Sequence, residues 1–250
     1  MKSIDRKFHE DVEEQIESLG QDQPLRATSL QWINQSAKHK YTYNFRWMGR
    51  PIIQYPQDVF AMQELIWEVQ PDLVIETGIA HGGSLIFFAS MLELNAACGG
   101  PDDARVIGVD IDIRAHNRVA IEAHPMFKRI SMIQGSSVAP ETINRVRAEA
   151  AGKKRVLVSL DSNHTHDHVM KELDAYAPLT SVGSYCVVFD TVIEDMPVEA
   201  FPDRPWGPGD NPKTAVHEFL RNHPEFQSDK RIDHKLLISV APDGYLRRVR

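Results

Sequence analysis

The stretch Val74–Ser84, VIETGIAHGGS, is the centre from which this chain of 250 residues can be read. Leu73, Val74 and Ile75 open it as a buried strand, Glu76 sets an acid at the strand's end, and Gly78, Gly82 and Gly83 form a turn. From Ser84 to about Leu94, the spacing of Leu85, Phe88 and Leu92 predicts a helix. Strand, glycine turn and helix in that order make a ligand crevice at the carboxyl edge of an open α/β sheet. Glycines let backbone approach a ligand closely, and the helix N-terminus presents unpaired N–H groups.

The turn excludes two phosphate-binding patterns. A P-loop carries Lys-Ser or Lys-Thr after its last glycine, and that pair is absent here. The dinucleotide fingerprint G-x-G-x-x-G is replaced by G-x-x-x-G-G, so NAD is poorly supported. What remains, E-x-G-x-x-x-G over Glu76 to Gly82, resembles motif I of the class I S-adenosylmethionine (SAM) methyltransferases. The alternative is a tight turn whose glycines serve packing alone.

Composition narrows the classes. Hydrophobic residues at 42% and charged residues at 25% suit a soluble globular protein with one large α/β domain. A formal charge of −7 argues against a nucleic-acid partner, which calls for a basic field. No apolar run reaches the length of a membrane span, and MKSIDRKFHEDVEEQ lacks a signal-peptide core. Two cysteines, Cys98 and Cys186, are too few for a disulfide framework, so a reducing cytoplasm is expected.

Working outward on the N-terminal side, residues 1–20 read as an amphipathic helix with Phe8, Val12, Ile16 and Leu19 on one face. An irregular arm follows to about Pro56, rich in aromatics: Trp32, Tyr41, Tyr43, Phe45 and Trp47. Such an arm packs on the core or on a neighbouring subunit, and a homo-oligomer is expected. Asp58 is the candidate cap of a helix running to about Val69. Residues 1–57 are thus set apart from a domain over 58–250.

On the C-terminal side, strands read at Arg105–Asp112, Ile130–Gln134, Arg155–Leu160 and Tyr185–Phe189. Helices read at Pro140–Ala151 and Asp167–Tyr176. This alternation predicts a mostly parallel, Rossmann-like sheet with right-handed crossovers. A helix over Thr214–Asn222 and a hairpin of Leu236–Val240 with Tyr245–Val249 close it as an antiparallel edge. Between them lies FPDRPWGPGDNPK (Phe201–Lys213), too rich in proline and glycine for regular structure, with Trp206 at its middle. A loop there suits a lid or a substrate wall.

Four segments together resemble the cephalosporin hydroxylase family: VIETGIAHGGS, VSLDSNHTHDHV, YCVVFDTVIEDMP and LLISVAPDGYLRR. Its members look like metal-dependent SAM O-methyltransferases, similar to macrolide-sugar and rhamnosyl O-methyltransferases. The resemblance covers Asp58–Arg250. It implies SAM at Glu76, Gly78, His81, Gly82, Gly83 and Ser84, with Asp110 gripping the ribose diol, Asp112 as its competitor and Ser136 near the adenine. A divalent metal, Mg2+ by its preference for oxygen, would lie at Asp161 and Asp190. Thr191 stands where the family has a second acid of a pair, and Glu194 or Asp195 is close enough to substitute. Asp161 and His164 are the candidate catalytic pair, His164 as base in an Asp-x-x-His pattern.

The implied reaction is methyl transfer to a hydroxyl of a sugar or similar polyol, on a glycan or a small molecule. Three alternatives stay open. His164, His166, Asp167 and His168 resemble a zinc motif one residue short. Asp161 with His164 and His166 could imitate the two-histidine, one-carboxylate set of an iron hydroxylase. The Thr191 departure leaves room for a non-catalytic scaffold that retains the fold.

Overall fold

The computed structural model describes residues 2–250, with side chains described from residue 6. The N-terminal part is more regular than its sequence suggests. After α1 (Lys2–Gln21) comes a second helix, α2 (Gln23–Ala37), where an irregular arm was expected. Asp22 caps it by accepting from the Leu25 N–H, and Pro24 sits in the first turn, where a missing N–H costs nothing. A hairpin follows, β1 (Phe45–Trp47) and β2 (Arg50–Ile52). On α1, Ile16 is buried as expected, but Phe8 is 64% exposed.

The aromatic arm packs on its own core. Ile33, Ile52 and Tyr55 share one buried cluster with α3 (Pro56–Val69) and α4 (Gly83–Ala97). Trp47 meets Phe87 edge-on at 5.0 Å and its indole N–H donates to Ser90 Oγ at 2.9 Å. Asp58 lies in the first turn of α3 and does not cap it; the capping position is Tyr55. Its buried carboxylate accepts from Ser239 Oγ (2.6 Å), the Val240 N–H (2.9 Å) and Tyr245 Oη (2.8 Å), tying α3 to the far end of the chain.

The core is a sheet with helices on both faces. β3 (Leu73–Thr77) is wholly buried and lies between β4 (Arg105–Asp110) and β6 (Val156–Leu160), parallel to both. β5 (Ile130–Gln134) extends one side and β7 (Tyr185–Val188) the other. Alternate β3 residues face opposite layers: Val74 packs with α4, Leu73 and Ile75 with the opposite cluster, which contains Val146 and Leu173. Those two come from α6 (Pro140–Ala150) and α7 (His166–Tyr176), which follow α5 (Ala115–Glu122).

The antiparallel edge exists with a different second strand. After α8 (Pro212–Asn222), β8 (Phe226–Ser228) and β9 (Tyr245–Arg248) pair antiparallel, separated by α9 (Lys230–Leu236). The order is β5-β4-β3-β6-β7-β9-β8. Residues 236–240, expected as a strand, finish α9 and then form a loop, because Ser239 and Val240 are engaged by Asp58. Among the described residues no helix is long and apolar enough to cross a membrane.

Candidate active site

The connections from β3 run to β4 on one side and, later in the chain, to β6 on the other. Such a switch point opens a crevice at the strands' carboxyl ends. Gly78 leaves β3 with φ +92°, and a Cβ there would sit 1.8 Å from the Asp161 carbonyl oxygen. Only glycine fits, and the contact fixes Asp161, which follows β6, against the turn.

Two cavities open on either side of this contact, of about 350 and 320 Å³. Gly78, Ala80, Asp161, Ser162 and Trp206 line both. The larger adds His81, Gly83, Ser84, His164 and Asp190; the smaller adds Asp110, Ser136 and His168. Trp206, from the proline-rich segment, is therefore one of the walls they share.

In the larger cavity Asp161, His164 and Asp190 each offer a ligand atom, all within 4.8 Å of one another. Asp190 holds its position through a left-handed backbone, φ +57°, a conformation Asp tolerates better than most residues. His164 Nε2 stands 3.4 Å from Asp190 Oδ2, and its ring meets Trp206 edge-on at 4.8 Å. Burial first, then the charges of Asp190 and Glu76, push the Asp161 carboxyl well above its ordinary range. Carboxylates crowded this way fit a cation, and two acids with open neighbouring space suit Mg2+. Bound there, such an ion would stabilise a deprotonating hydroxyl as a Lewis acid.

Thr191 and Glu194 fall outside the cluster. The Thr191 hydroxyl is buried and donates to the Pro242 carbonyl at 2.6 Å. Glu194 turns to the proline-rich segment, accepting from the Gly209 N–H and from Asn211 Nδ2. Asp195 pairs with Lys213 at 2.6 Å. Of the ligands expected from sequence, Asp161 and Asp190 come together, with His164 beside them.

The histidines separate. His166 Nδ1 lies 2.8 Å from Thr214 Oγ1, and its Nε2 3.3 Å from Glu218 on α8. His168 Nε2 lies 3.1 Å from Ser137 Oγ. Neither joins His164, so the structure assembles neither the zinc motif nor the two-histidine hydroxylase set.

The expected cofactor residues divide in the same way. Glu76 is buried; burial pushes its carboxyl up to about 8 against the hydrogen bond from Ser84. Its Oε2 is buried without a hydrogen-bond partner, and Glu76 lines neither cavity. Asp110 Oδ2 accepts from the N–H groups of Ile79 (2.8 Å) and Ala80 (3.1 Å), so it braces the turn as well as facing the smaller cavity. Asp112 lines neither cavity and lies 3.8 Å from Arg114 at the surface. Gly82 lines neither cavity, and the missing side chain of Gly83 makes room for the arm, where a Cβ would lie 2.1 Å from the Pro51 carbonyl oxygen.

The arm and α5 bring residues that no motif announces. Arg50 donates from Nε to the His81 carbonyl at 3.0 Å, Asn117 Nδ2 to the Ala80 carbonyl at 2.9 Å, and Gln54 Nε2 to Asp161 Oδ2 at 3.2 Å. These single polar residues carry no pattern. Trp206 alone was signalled, by the prolines and glycines around it.

Residues 39–249 match the profile of the rhamnosyl O-methyltransferase/CmcI family. The chain belongs to this family. A rhamnosyl O-methyltransferase of Mycobacterium bovis is 33% identical over 221 residues, covering 84% of this chain and 83% of its own. Among solved structures, CmcI with Mg and SAM superposes with a TM-score of 0.57 at 20% identity, over 83% of this chain and 78% of that one. The O-methyltransferase TomG from Streptomyces achromogenes, in complex with SAM, gives 0.53 at 17% identity, over 79% of each chain. These likenesses place the fold among the class I methyltransferases. The family match starts at residue 39, earlier than the resemblance seen from Asp58, and so takes in the hairpin that supplies Arg50 and, just after it, Gln54.

Proposed function

We propose that this member of the rhamnosyl O-methyltransferase/CmcI family transfers the SAM methyl group to a hydroxyl of a sugar, with a divalent cation at Asp161 and Asp190. The observation that carries the reading is the position of the Asp161–His164–Asp190 cluster, in one of two cavities that meet at the glycine turn. Motif I and Asp110 are the cofactor residues. In transfer the methyl carbon leaves sulfur for the acceptor oxygen, giving S-adenosylhomocysteine, and the hydroxyl proton goes to His164. His164 lines the same cavity as the two acids, its Nε2 3.4 Å from Asp190 Oδ2. The rhamnosyl group in the relatives' names makes a rhamnoside the first acceptor to test.

The two free cysteines, Cys98 exposed and Cys186 buried, suit the reducing cytoplasm expected from sequence. The apolar surface at Phe60, Trp67 and Leu94 supports a homo-oligomer, which light scattering reads directly.

Calorimetry with S-adenosylhomocysteine, alongside transfer from labelled SAM to a rhamnoside, tests the assignment. Asp161→Asn and Asp190→Asn should keep S-adenosylhomocysteine binding and lose transfer, and excess EDTA should silence the wild type. Absence of binding heat at millimolar ligand overturns the cofactor reading; full transfer in EDTA overturns the metal. A chain that binds S-adenosylhomocysteine and a divalent cation yet transfers to no glycoside would be the scaffold.

A further inference from the structure

Gln54 follows the hairpin and is only 8% exposed. Its Nε2 donates to Asp161 Oδ2 across 3.2 Å, over a sequence distance of 107 residues. Its Oε1 is buried without a hydrogen-bond partner. The side chain lines the larger cavity together with Asp161, His164 and Asp190.

Two features of this arrangement belong together. A primary amide carries a donor and an acceptor on ends of nearly the same shape. The far end of the Gln54 amide bonds to nothing, so reversing it loses no hydrogen bond there. The end that faces Asp161 is therefore chosen by what stands at Asp161 Oδ2. A free acceptor oxygen there selects the NH2 group, as observed, and a cation bound to that oxygen selects the amide oxygen. The 3.2 Å from the amide to Asp161 Oδ2 is close to the separation of about 3 Å between neighbouring oxygens around an octahedral ion with bonds of about 2.0–2.1 Å. Meanwhile Thr191, buried and donating to Pro242, supplies no oxygen to the cluster, which leaves a hard cation short of protein ligands.

We propose that Gln54 is a reversible ligand of the cation site: its amide holds Asp161 by donation when no cation is bound and turns its oxygen to the cation when one is. The proposal rests on the metal reading above. It makes the N-terminal arm a contributor to the centre and gives the site a neutral oxygen in place of a second acid.

Binding of Mn2+, followed by electron paramagnetic resonance of the full chain without acceptor, separates the possibilities. Gln54→Ala should weaken Mn2+ affinity roughly 10- to 100-fold, the range for losing a group that touches or supports a metal site. Gln54→Met, of similar length but without amide atoms, should weaken it equally and guards against collapse of the site in the alanine variant. Gln54→Glu, which offers an oxygen but no donor, should restore or tighten binding. Heat of S-adenosylhomocysteine binding should be the same in all four proteins, showing an intact fold. Unchanged Mn2+ affinity in the alanine and methionine variants overturns the proposal. So does a glutamate variant as weak as alanine, because the amide would then only orient Asp161. No Mn2+ binding by the wild type overturns the metal reading itself, and the role of Gln54 with it.

Discussion

His164 and Glu76 have different proposed parts in methyl transfer, and each has its own signature. His164 is the proposed base, so His164→Ala should lower kcat roughly 100- to 10,000-fold with cofactor binding preserved. His168→Ala and His166→Ala should change transfer little, since those rings are spent on Ser137 and on α8; a loss at His166 as deep as at His164 would count against the assignment. For Glu76, burial sets the sign. With a carboxyl pushed up to about 8, Glu76 is mostly protonated in the free protein at pH 7. A cationic cofactor group reaching its buried, unpartnered Oε2 would favour the charged form, so SAM binding at pH 7 should then release protons from this group. Calorimetry in buffers of different ionisation enthalpy measures that number, and Glu76→Gln should lower it. Equal release from both proteins would detach Glu76 from the cofactor.

Among the elements, the contact between α4 and the hairpin is the one most open to a single substitution. Gly83 begins α4, where alanine is ordinarily the better residue by about 0.5–1 kcal/mol. Here its Cβ would meet the Pro51 carbonyl at 2.1 Å, so Gly83→Ala should instead cost about 1–3 kcal/mol, the range for overpacking. Thermal unfolding gives the sign, and faster proteolysis within residues 40–56 should accompany it. A stabilised variant would mean the arm is not seated as described. The central strands and the acids that end them were legible because buried parallel strands read as short apolar runs between turns. α2 was hidden because Pro24 reads as a turn although it is harmless in a first turn, and because only Ser29 and Ile33 are buried on it. Residues 236–240 misled in the opposite way. Their apolar run has the composition of a strand, but the Asp58 carboxylate captures Ser239 and the Val240 N–H, and the true edge strand, Phe226–Ser228, is too short for an alternating pattern to show. Gln54 left no trace in sequence at all, since a lone amide has no spacing to be recognised by.

Taken whole, the molecule buries acids that prefer their protons. Burial raises Asp58 and Asp233 to about 6 and Glu76 to about 8. Each carboxyl binds its proton more tightly folded than unfolded, so its contribution is complete below the unfolded pKa of about 4 and is lost as pH rises through the folded value. Stability carried by these groups should therefore fall from about pH 4 to pH 6 through Asp58 and Asp233, and on to about pH 8 through Glu76. The melting temperature should drop between pH 6 and pH 8.5, and Glu76→Gln should flatten that limb; a flat wild-type curve would contradict the burial of its charge. Asp58 has a second consequence, which concerns order in time. Its partners Ser239, Val240 and Tyr245 lie 181, 182 and 187 residues further along. During synthesis at about 5–20 residues per second, α3 waits on the order of ten seconds or more for the groups that satisfy its acid. Until they emerge from the ribosome, that carboxylate has only water to hold it, and the face of α3 meant for the interior is an exposed site for chaperones.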